Sequence, residues 1–361
     1  MKTSTIQIAF MILLGLCPNS ARAQSDHKLA ESFLQCASQT AVTGREAQFI
    51  AFLKGQLPQG ITSEVDNMGN LIVRIGGGTP QVLVVASVDE PGFVVTDITD
   101  EGYLRVASPG GRSPGPLFIQ FHEGHYVDIF SRNGTIRGVV SLPSSHLVRG
   151  RRESLSLDRF LIDIGARSRE EALARGIEML DPVAAVKDVA VLAGNRVAGP
   201  MLSRKFGAFA LLEALKGYGA RNGKSIVLAW AAQGAMSNSG LARLARRFAP
   251  KQVMIVGGFQ RGAGRTAKDP IEIFDSGILI PDGESPGANS AFLRSAMAAA
   301  GQKIKFTASP TGAFPEARAL GADTDAFCVA IPVMFPGTLV ETVDLDDLQQ
   351  LISWVRMVLE M

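Results

Sequence analysis

Histidine is scarce in this sequence, with only four copies among 361 residues. They are His27, His122, His125 and His146, so none lies between residues 183 and 361. Imidazole is among the ligands that zinc prefers, and a site built from carboxylates alone suits zinc poorly. The shortage therefore argues against an ordinary zinc site in that part of the chain.

Two of the histidines, His122 and His125, form an H-x-x-H pair in a stretch that is typical of β structure. Residues i and i+3 of a strand point to opposite faces of the sheet. We therefore expect two unrelated histidines here rather than a pair of metal ligands.

Cysteine is also rare, with three copies in the chain. Cys17 lies near the N-terminus, whereas Cys36 and Cys328 are far apart in the sequence. Spacing alone cannot show whether two distant cysteines meet. A disulfide between Cys36 and Cys328 and two separate buried thiols therefore both stay open.

The chain lacks both a strong charge excess and an apolar run of membrane-spanning length. Ile6–Cys17 is apolar but too short for a stable spanning helix, and Ala21-Arg22-Ala23 follows as an A-x-A cleavage site. We predict that residues 1–23 are a signal peptide and that the mature protein is periplasmic or extracellular, with no membrane span. The 36 basic and 34 acidic residues become equal in number once Lys2 and Arg22 are removed. This balance argues against nucleic acid or an anionic membrane as a partner.

Polar residues follow an apolar run at Val82–Ala86, where the chain reaches Ser87, Asp89 and Glu90 before a Pro-Gly breaker. An unbroken apolar run of this length predicts a strand that is buried on both faces of a parallel or mixed sheet. Ligand sites in such sheets lie beyond the carboxyl ends of the strands. We therefore expect these three polar residues at the rim of a binding site.

The pattern of the chain changes twice. Helix and strand patterns alternate in residues 24–91 and again in residues 183–361, whereas residues 92–182 form short β-like segments between turn residues such as Asn133-Gly134. We predict one α/β domain made of the two outer stretches, with the middle stretch inserted into it as a β domain.

Local helix signals are clearest near the two ends of the mature chain. Thr43 and Glu46 match a capping box that would start a helix ending at Gly55. Leu345–Leu359 carries apolar residues at helical spacing and predicts an amphipathic helix.

The sequence resembles the tetrahedral or glutamyl (deblocking) aminopeptidases, a family of di-zinc peptidases. That family has His-x-Asp-Glu where this chain has Ser87-Val88-Asp89-Glu90, and a Ser-Gly-x-Glu element similar to Thr43-Gly44-Arg45-Glu46. The resemblance covers about Leu29 to Leu359. It implies an α/β fold, a mixed sheet sandwiched by helices, with an inserted β-barrel-like module used in assembly. It also implies two zinc or cobalt ions.

The family supplies its metal ligands at five places, and the first three have lost their donors here. Ser87 stands where the family has a liganding histidine, and Ser203 stands where an aspartate bridges the two metals. In the family's Gln-Glu-Glu element the first glutamate is the general base and the second a ligand. This chain has Gly234 and Ala235 at those two positions.

The last two ligand positions are equally altered. Gly257 or Gly258 replaces a liganding aspartate, and Gly337 replaces a liganding histidine. Neighbouring residues such as Gln233 and Glu341 still match the family pattern. Because serine, glycine and alanine offer no imidazole or carboxylate, the resemblance predicts a cleft without the family's metal ligands.

Two hypotheses about function result. The first is an exported pseudo-peptidase with no metal cofactor and no catalytic residue, whose role is to bind, scaffold or regulate a peptide or protein partner. The second is an active metal-dependent aminopeptidase that builds its metal site from residues outside the motifs. The resemblance predicts for both a homo-oligomer that assembles through the inserted domain.

Two basic residues are expected to balance the negative charge of Asp89 and Glu90 at the rim of the predicted binding site. Without a divalent cation, Asp89 and Glu90 need another positive partner, because unpaired carboxylates in a partly buried cleft are costly. Arg204 and Lys205 follow Ser203 directly. We expect these cations within about 8 Å of the two carboxylates.

Three other chemistries are less well supported by the sequence. Ser113 lies in a G-x-S-x-G match, but Pro114 has no amide hydrogen to serve as an oxyanion donor. Gly262-Ala263-Gly264 precedes a predicted strand rather than the helix that dinucleotide binding needs. Asp89 and Glu90 are adjacent, so they diverge in a strand and do not form a glycosidase pair.

Overall fold

A computed structural model describes residues 18–79, 81–111, 115–141, 156–218, 225–257, 276–310, 315–321 and 323–361. Most of the predicted signal peptide lies outside these residues, and export stays a prediction. Ser113, Gly258, the Gly262–Gly264 segment and a strand predicted at Ile271–Phe274 also lie outside them.

Strands make up much of the described chain. They are β1 (Ser63–Val65), β2 (Leu71–Ile75), β3 (Val82–Ser87), β4 (Phe93–Ile98), β5 (Leu104–Ala107), β6 (Tyr126–Ser131), β7 (Gly134–Val140), β8 (Leu161–Asp163), β9 (Pro182–Ala185), β10 (Ala190–Leu192), β11 (Arg196–Gly199), β12 (Ile226–Ala231), β13 (Gln252–Val256), β14 (Ile278–Pro281), β15 (Phe306–Ser309), β16 (Asp325–Val329) and β17 (Glu341–Asp344).

Helices connect and cover these strands. They are α1 (Pro18–Ala37), α2 (Ala47–Gly55), α3 (Pro116–Gln120), α4 (Arg169–Ala174), α5 (Phe206–Lys216), α6 (Ser239–Phe248), α7 (Ala291–Ala300) and α8 (Leu345–Glu360).

The main sheet has six strands in the order β1-β2-β12-β3-β13-β16. Strands β12, β3, β13 and β16 run parallel, while β1 and β2 make the sheet mixed by antiparallel pairing at one edge. Every residue of β12 is buried, as an apolar run without alternation predicts for a central parallel strand. Helix α5 packs on β3 and β13, and α1 and α8 pack against α5.

One glycine sets how closely α5 approaches the sheet. A Cβ atom on Gly207 would collide with the backbone oxygen of Val256, at the end of β13. The first turn of α5 can therefore lie against the end of this strand only if the residue has no side chain.

A closed barrel of six strands, in the order β4-β5-β8-β7-β6-β9, is inserted between β3 and the later strands of the sheet. It has a hydrophobic core of its own, separate from that of the α/β domain. The hairpin between β6 and β7 turns at Arg132-Asn133, one residue earlier than the Asn-Gly signal. The predicted fold class, a mixed α/β sheet between helices with an inserted β barrel, is confirmed.

Local predictions within the insertion needed correction. His122 and His125 do not lie in a strand; they lie in the turn between the short helix α3 and strand β6. His122 is buried and its ring contacts Phe93, Phe118 and Phe160. Burial lowers its pKa to about 4, so it packs as a neutral ring in the barrel.

Cys36 and Cys328 are both buried and free. Burial raises the pKa of Cys36 to about 12, which makes this thiol unreactive at neutral pH. Among the described helices, none combines the length and the apolar character needed to cross a bilayer.

Candidate functional site

The parallel strands β3 and β12 end at the same edge of the sheet, and the residues that follow them meet there. A Cβ atom built on Gly234 would lie 2.5 Å from Oδ1 of Asp89 and 3.4 Å from Oγ of Ser87. The first and third motif positions predicted from the sequence are therefore neighbours in space, as expected for the carboxyl ends of adjacent strands.

Asp89 is buried and accepts three hydrogen bonds. Its donors are the backbone amides of Gly234 at 2.9 Å and Ala235 at 2.8 Å, and Oγ1 of Thr43 at 2.8 Å. Backbone amides and a hydroxyl, rather than Arg204 or Lys205, thus satisfy this carboxylate. The two amide bonds hold the loop after β12 against Asp89. The approach is so close that a side chain at position 234 would displace Asp89.

The capping box predicted at Thr43 and Glu46 is wrong. Helix α2 begins at Ala47, and Oε1 of Glu46 accepts hydrogen bonds from the amides of Gly44 and Gln233, at 2.8 and 2.9 Å. Burial raises the pKa of Glu46, although these amides oppose the rise. Thr43 and Glu46 therefore do not cap α2; they bind the loops that follow β3 and β12.

Glu90 lies in a lysine cluster, which we define as Glu90, Lys187 and Lys205. Its Oε2 is 2.7 Å from Nζ of Lys187 and 3.1 Å from Nζ of Lys205, and its Oε1 accepts the amide of Ala41. Nζ of Lys205 also lies 4.0 Å from the ring centroid of Phe49. Lys205 thus meets Glu90 as expected, but it is fully buried rather than placed at a rim.

The two ammonium groups govern the charge of this cluster. Burial alone would raise the pKa of Glu90, but Lys187 and Lys205 more than offset it, so the pKa is lowered. Burial in turn lowers the pKa of Lys187. Sequence reasoning missed Lys187, which follows the barrel strand β9 and lies 97 residues from its partner.

Ser203 and Gly337, the second and fifth motif positions, are joined by Glu341. Oε2 of Glu341 accepts the amide of Ser203 at 2.6 Å, and Oε1 accepts the Ser203 hydroxyl at 3.0 Å and the Gly337 amide at 2.6 Å. Burial raises the pKa of Glu341, against the opposing effect of these donors. One carboxylate therefore holds both loops.

An open cleft of about 720 Å³ lies at the carboxyl ends of β3 and β12. Ser87, Arg204, Gly234 and Ala235 line it, together with Gly110, Met236, Ser237, Asn238, Ser239, Glu316 and Arg318. Four of the predicted site residues thus share one cavity, while Glu90 and Lys205 lie behind it in the lysine cluster.

Glu316, like Arg318, is a charged residue of the cleft that the sequence analysis missed. It lies in a 3₁₀ turn at Pro315–Ala319, is only 6% exposed, and within the described chain its Oε2 has no hydrogen-bond partner. Burial raises its pKa, the charge of Arg204 opposes this and that of Asp89 adds to it. The one available signal was the charged pair Glu316 and Arg318 in a stretch of mostly small and apolar residues, and no motif marks it.

A second groove, of about 560 Å³, runs between α2 and the barrel. Gln233 is the one predicted site residue in its lining, which also includes Phe130 and Pro182 of the barrel. The strand-end cleft is therefore the better candidate for the functional site.

The sequence pattern of the M42 glutamyl aminopeptidases matches residues 69–353 of this chain. The chain belongs to the M42 family. Among characterised members, it is 31% identical over 159 residues to the lysyl aminopeptidase of Pyrococcus furiosus, covering 43% of this chain and 44% of that one. It is 27% identical over 186 residues to the glutamyl aminopeptidase of Lactococcus lactis, covering 49% and 51%. The chain thus spans about half the length of the curated relatives it matches.

Two solved TET structures share nearly the whole fold of this chain. The TET1 peptidase of Pyrococcus horikoshii, which assembles into a tetrahedron or a large octahedral shell, superposes with a TM-score of 0.81 at 26% identity. The match covers 91% of this chain and 98% of that one. A dodecamer named PhTET1-12s gives a TM-score of 0.80 at 25% identity with the same coverage.

The family membership contradicts one prediction from the sequence. We expected no metal cofactor, but M42 aminopeptidases are metal-dependent, so that expectation is wrong for the family to which this chain belongs.

The residues at the five motif positions nevertheless do not fit a pair of zinc ions. Across the described ranges, no group of three or more His, Cys, Asp or Glu side chains is arranged to hold a metal. Gly257 and Gly337 have positive φ angles and open space where a Cβ would lie, so these positions have room but no donor. Asp89, Glu90 and Glu341 are engaged by amides, hydroxyls or ammonium groups, and we derive no step through a metal from them.

Proposed function

We propose that this M42-family protein binds the end of a peptide chain in the strand-end cleft. The observation that carries the proposal is the open cleft of about 720 Å³ at the carboxyl ends of β3 and β12. Its volume falls in the range of small-ligand sites. Charged groups of both signs, Arg204 and Glu316, reach it, which suits a ligand with polar ends.

A second candidate is an active metal-dependent aminopeptidase, and the family membership favours it. The matched relatives include lysyl and glutamyl aminopeptidases. This candidate needs ligands beyond the five motif positions, because those positions carry Ser87, Ser203, Ala235, Gly257 or Gly258, and Gly337.

One experiment separates the two candidates. Peptide binding is measured by calorimetry, and release of amino acids is measured on the same preparation with added zinc or cobalt and again with a chelator. Binding without release supports peptide recognition alone, whereas chelator-sensitive release supports the aminopeptidase. A protein that neither binds nor cleaves a panel of short peptides contradicts both.

We also propose that the chain forms a homo-oligomer through the barrel. The structural neighbours include a dodecamer and tetrahedral or octahedral shells. Leu173, Met179 and Leu180, which lie between β8 and β9, are exposed apolar residues suited to a contact. Replacing Leu173 and Met179 with serine should give a monomer by light scattering, whereas Val191→Ser outside the barrel should not.

Export is a further proposal, supported by the Ala21-Arg22-Ala23 site. Helix α1 runs through these three residues, so a peptidase would need this turn unwound. N-terminal sequencing of the protein from the cell envelope should begin at Gln24.

A further inference from the structure

Helix α6 begins at the strand-end cleft and carries exposed arginines away from it. Its first residue, Ser239, lines the cleft, and the exposed Arg243 and Arg246 follow at positions i+4 and i+7. Residues at this spacing lie on one face of a helix. Leu241 and Leu244 are buried on the opposite face of α6. The two arginines therefore lead from the mouth of the cleft over the surface of the protein.

The positive charge beside the cleft is not balanced by α6 itself, which contains no acidic residue. Within the described ranges, no carboxylate lies at ion-pair distance from Arg243 or Arg246, whereas Arg247 pairs with Glu64 at 2.7 Å. The 3₁₀ turn at Pro315–Ala319 packs on α6 and adds the exposed Arg318, which lines the cleft together with Ser239. We call Arg243, Arg246 and Arg318 the arginine row.

The kind of cation narrows the kind of ligand. The three basic residues of α6 are all arginines. A guanidinium can bind a carboxylate through two parallel hydrogen bonds, and arginine is enriched at protein interfaces while lysine is depleted. Because the whole chain has 36 basic and 34 acidic residues, the row is a local concentration of positive charge. It is complementary to a ligand that carries several carboxylates.

We propose that the arginine row binds acidic side chains of a peptide whose end lies in the strand-end cleft. From Ser239 to Arg246 the axis of α6 rises by about 10 Å, which an extended peptide spans with about three residues. Aspartate or glutamate is therefore expected a few residues from the bound end. The inference rests on the proposed peptide binding and adds to it a preference for acidic residues beyond that end.

The test is calorimetric binding of two nonapeptides to the full-length protein, which is first dialysed against a chelator and then freed of it. One peptide has three glutamates at its centre between three alanines on each side, and the other has three glutamines there. The acidic residues thus lie equally far from both ends, whichever end the cleft binds. The wild type should bind the glutamate peptide about fivefold more tightly at low salt. This preference should shrink as salt rises, because exposed ion pairs are screened.

Variants assign the preference to the row. The double variant Arg243→Gln/Arg246→Gln should bind both peptides equally, with the affinity for the glutamine peptide unchanged. The double variant Arg105→Gln/Arg167→Gln removes two positive charges at exposed sites of the barrel. It should keep the preference of the wild type, which controls for a general effect of net charge. Circular dichroism shows that each variant is folded.

The outcomes separate this inference from the proposed function. Equal binding of the two peptides by the wild type contradicts the inference and leaves peptide binding standing, as does a preference that survives in the folded Arg243→Gln/Arg246→Gln protein. Loss of the preference in the barrel variant would show a non-specific charge effect. Nine-residue oligo(dT) that binds as tightly as the glutamate peptide would show a general polyanion surface and overturn the assignment. If neither peptide binds, the proposed function fails and the inference fails with it.

Discussion

Glu90 and Glu316 are both buried near the carboxyl ends of the parallel strands, but their surroundings are opposite. In the lysine cluster, two ammonium groups contact Oε2 of Glu90, and its pKa is lowered. Glu316 lines the cleft, but its Oε2 is buried and has no hydrogen-bond partner within the described chain, and burial raises its pKa. The first carboxylate is paired with cations of the protein, whereas the second has an oxygen without a donor in the described chain.

This difference bears on how each carboxylate affects the stability of the fold. Lys187 comes from the end of the barrel and Glu90 from the end of β3, so their ion pair ties the two domains together. Glu316 makes no such tie and lowers stability at neutral pH by its burial.

Removing the carboxylate of the lysine cluster should have the largest effect. Glu90→Ala leaves two buried ammonium groups without a counter-ion, and we expect a loss of about 3–5 kcal/mol in the free energy of unfolding. Urea unfolding followed by circular dichroism measures it, with the exposed Glu284→Ala as control. A loss below about 1 kcal/mol would show that the cluster does not stabilise the fold.

Gly234→Ala should have the next largest effect, because the new Cβ would lie 2.5 Å from Oδ1 of Asp89. We expect a loss of about 1–3 kcal/mol as the loop after β12 moves away from Asp89. Gly55→Ala is the matched control, since a Cβ there meets nothing within 4 Å. Equal stability of the two variants would mean that the contact between Asp89 and the loop is not tight.

Lys187→Met should cost less than Glu90→Ala, about 1–2 kcal/mol, because Lys205 still pairs with Glu90 and the desolvation of one ammonium group is relieved. The sign of its pH dependence is fixed by Glu90. Since the folded pKa of Glu90 is lowered, its stabilising contribution is present above its ordinary pKa of 4.5 and is lost as the pH falls through the folded value. The difference between wild type and variant in urea unfolding should shrink in that acid range; a constant difference would contradict the pairing.

The Glu316→Gln substitution should have the smallest effect on the free energy of unfolding, and it should stabilise the protein rather than destabilise it. The pKa of Glu316 is raised, so its unfavourable contribution is absent below its ordinary pKa of 4.5 and develops as the pH rises through the folded value. Glu316→Gln should therefore stabilise the protein by up to about 1 kcal/mol at neutral pH and leave it unchanged in acid. Thermal unfolding at several pH values measures this; a variant less stable than wild type at neutral pH would contradict the comparison.

The sequence allowed much of the fold to be predicted, because that part depends on local patterns. The apolar run of β3 and the periodicity of α8 both correspond to observed elements. The small sheet β10-β11-β17 was not predicted, since its strands have three or four residues and β11 pairs with β17 across more than a hundred residues.

The site was harder to predict for a related reason. Ser87 and Gly234 come together because each follows a parallel strand, which the sequence shows. Lys187 and Glu316 lie in segments without a motif, and only the folded chain brings them to the site. The local pattern of Thr43 and Glu46 predicted a helix cap. In the folded chain, Thr43 instead donates to Asp89 and Glu46 accepts the amide of Gln233, and both partners are distant in sequence.

The barrel begins and ends at neighbouring residues, since Phe93 pairs with Val183. If the barrel forms first, the loop that must close before β3 can pair with β12 shortens by the length of the barrel. That lowers the entropy cost of closure by about 1 kcal/mol. We expect pulsed hydrogen exchange during refolding to protect Val127 and Ile129 of the barrel before Leu228 of the central sheet. Early folding of the inserted barrel would then bring the two parts of the α/β domain close together and speed the pairing of their strands.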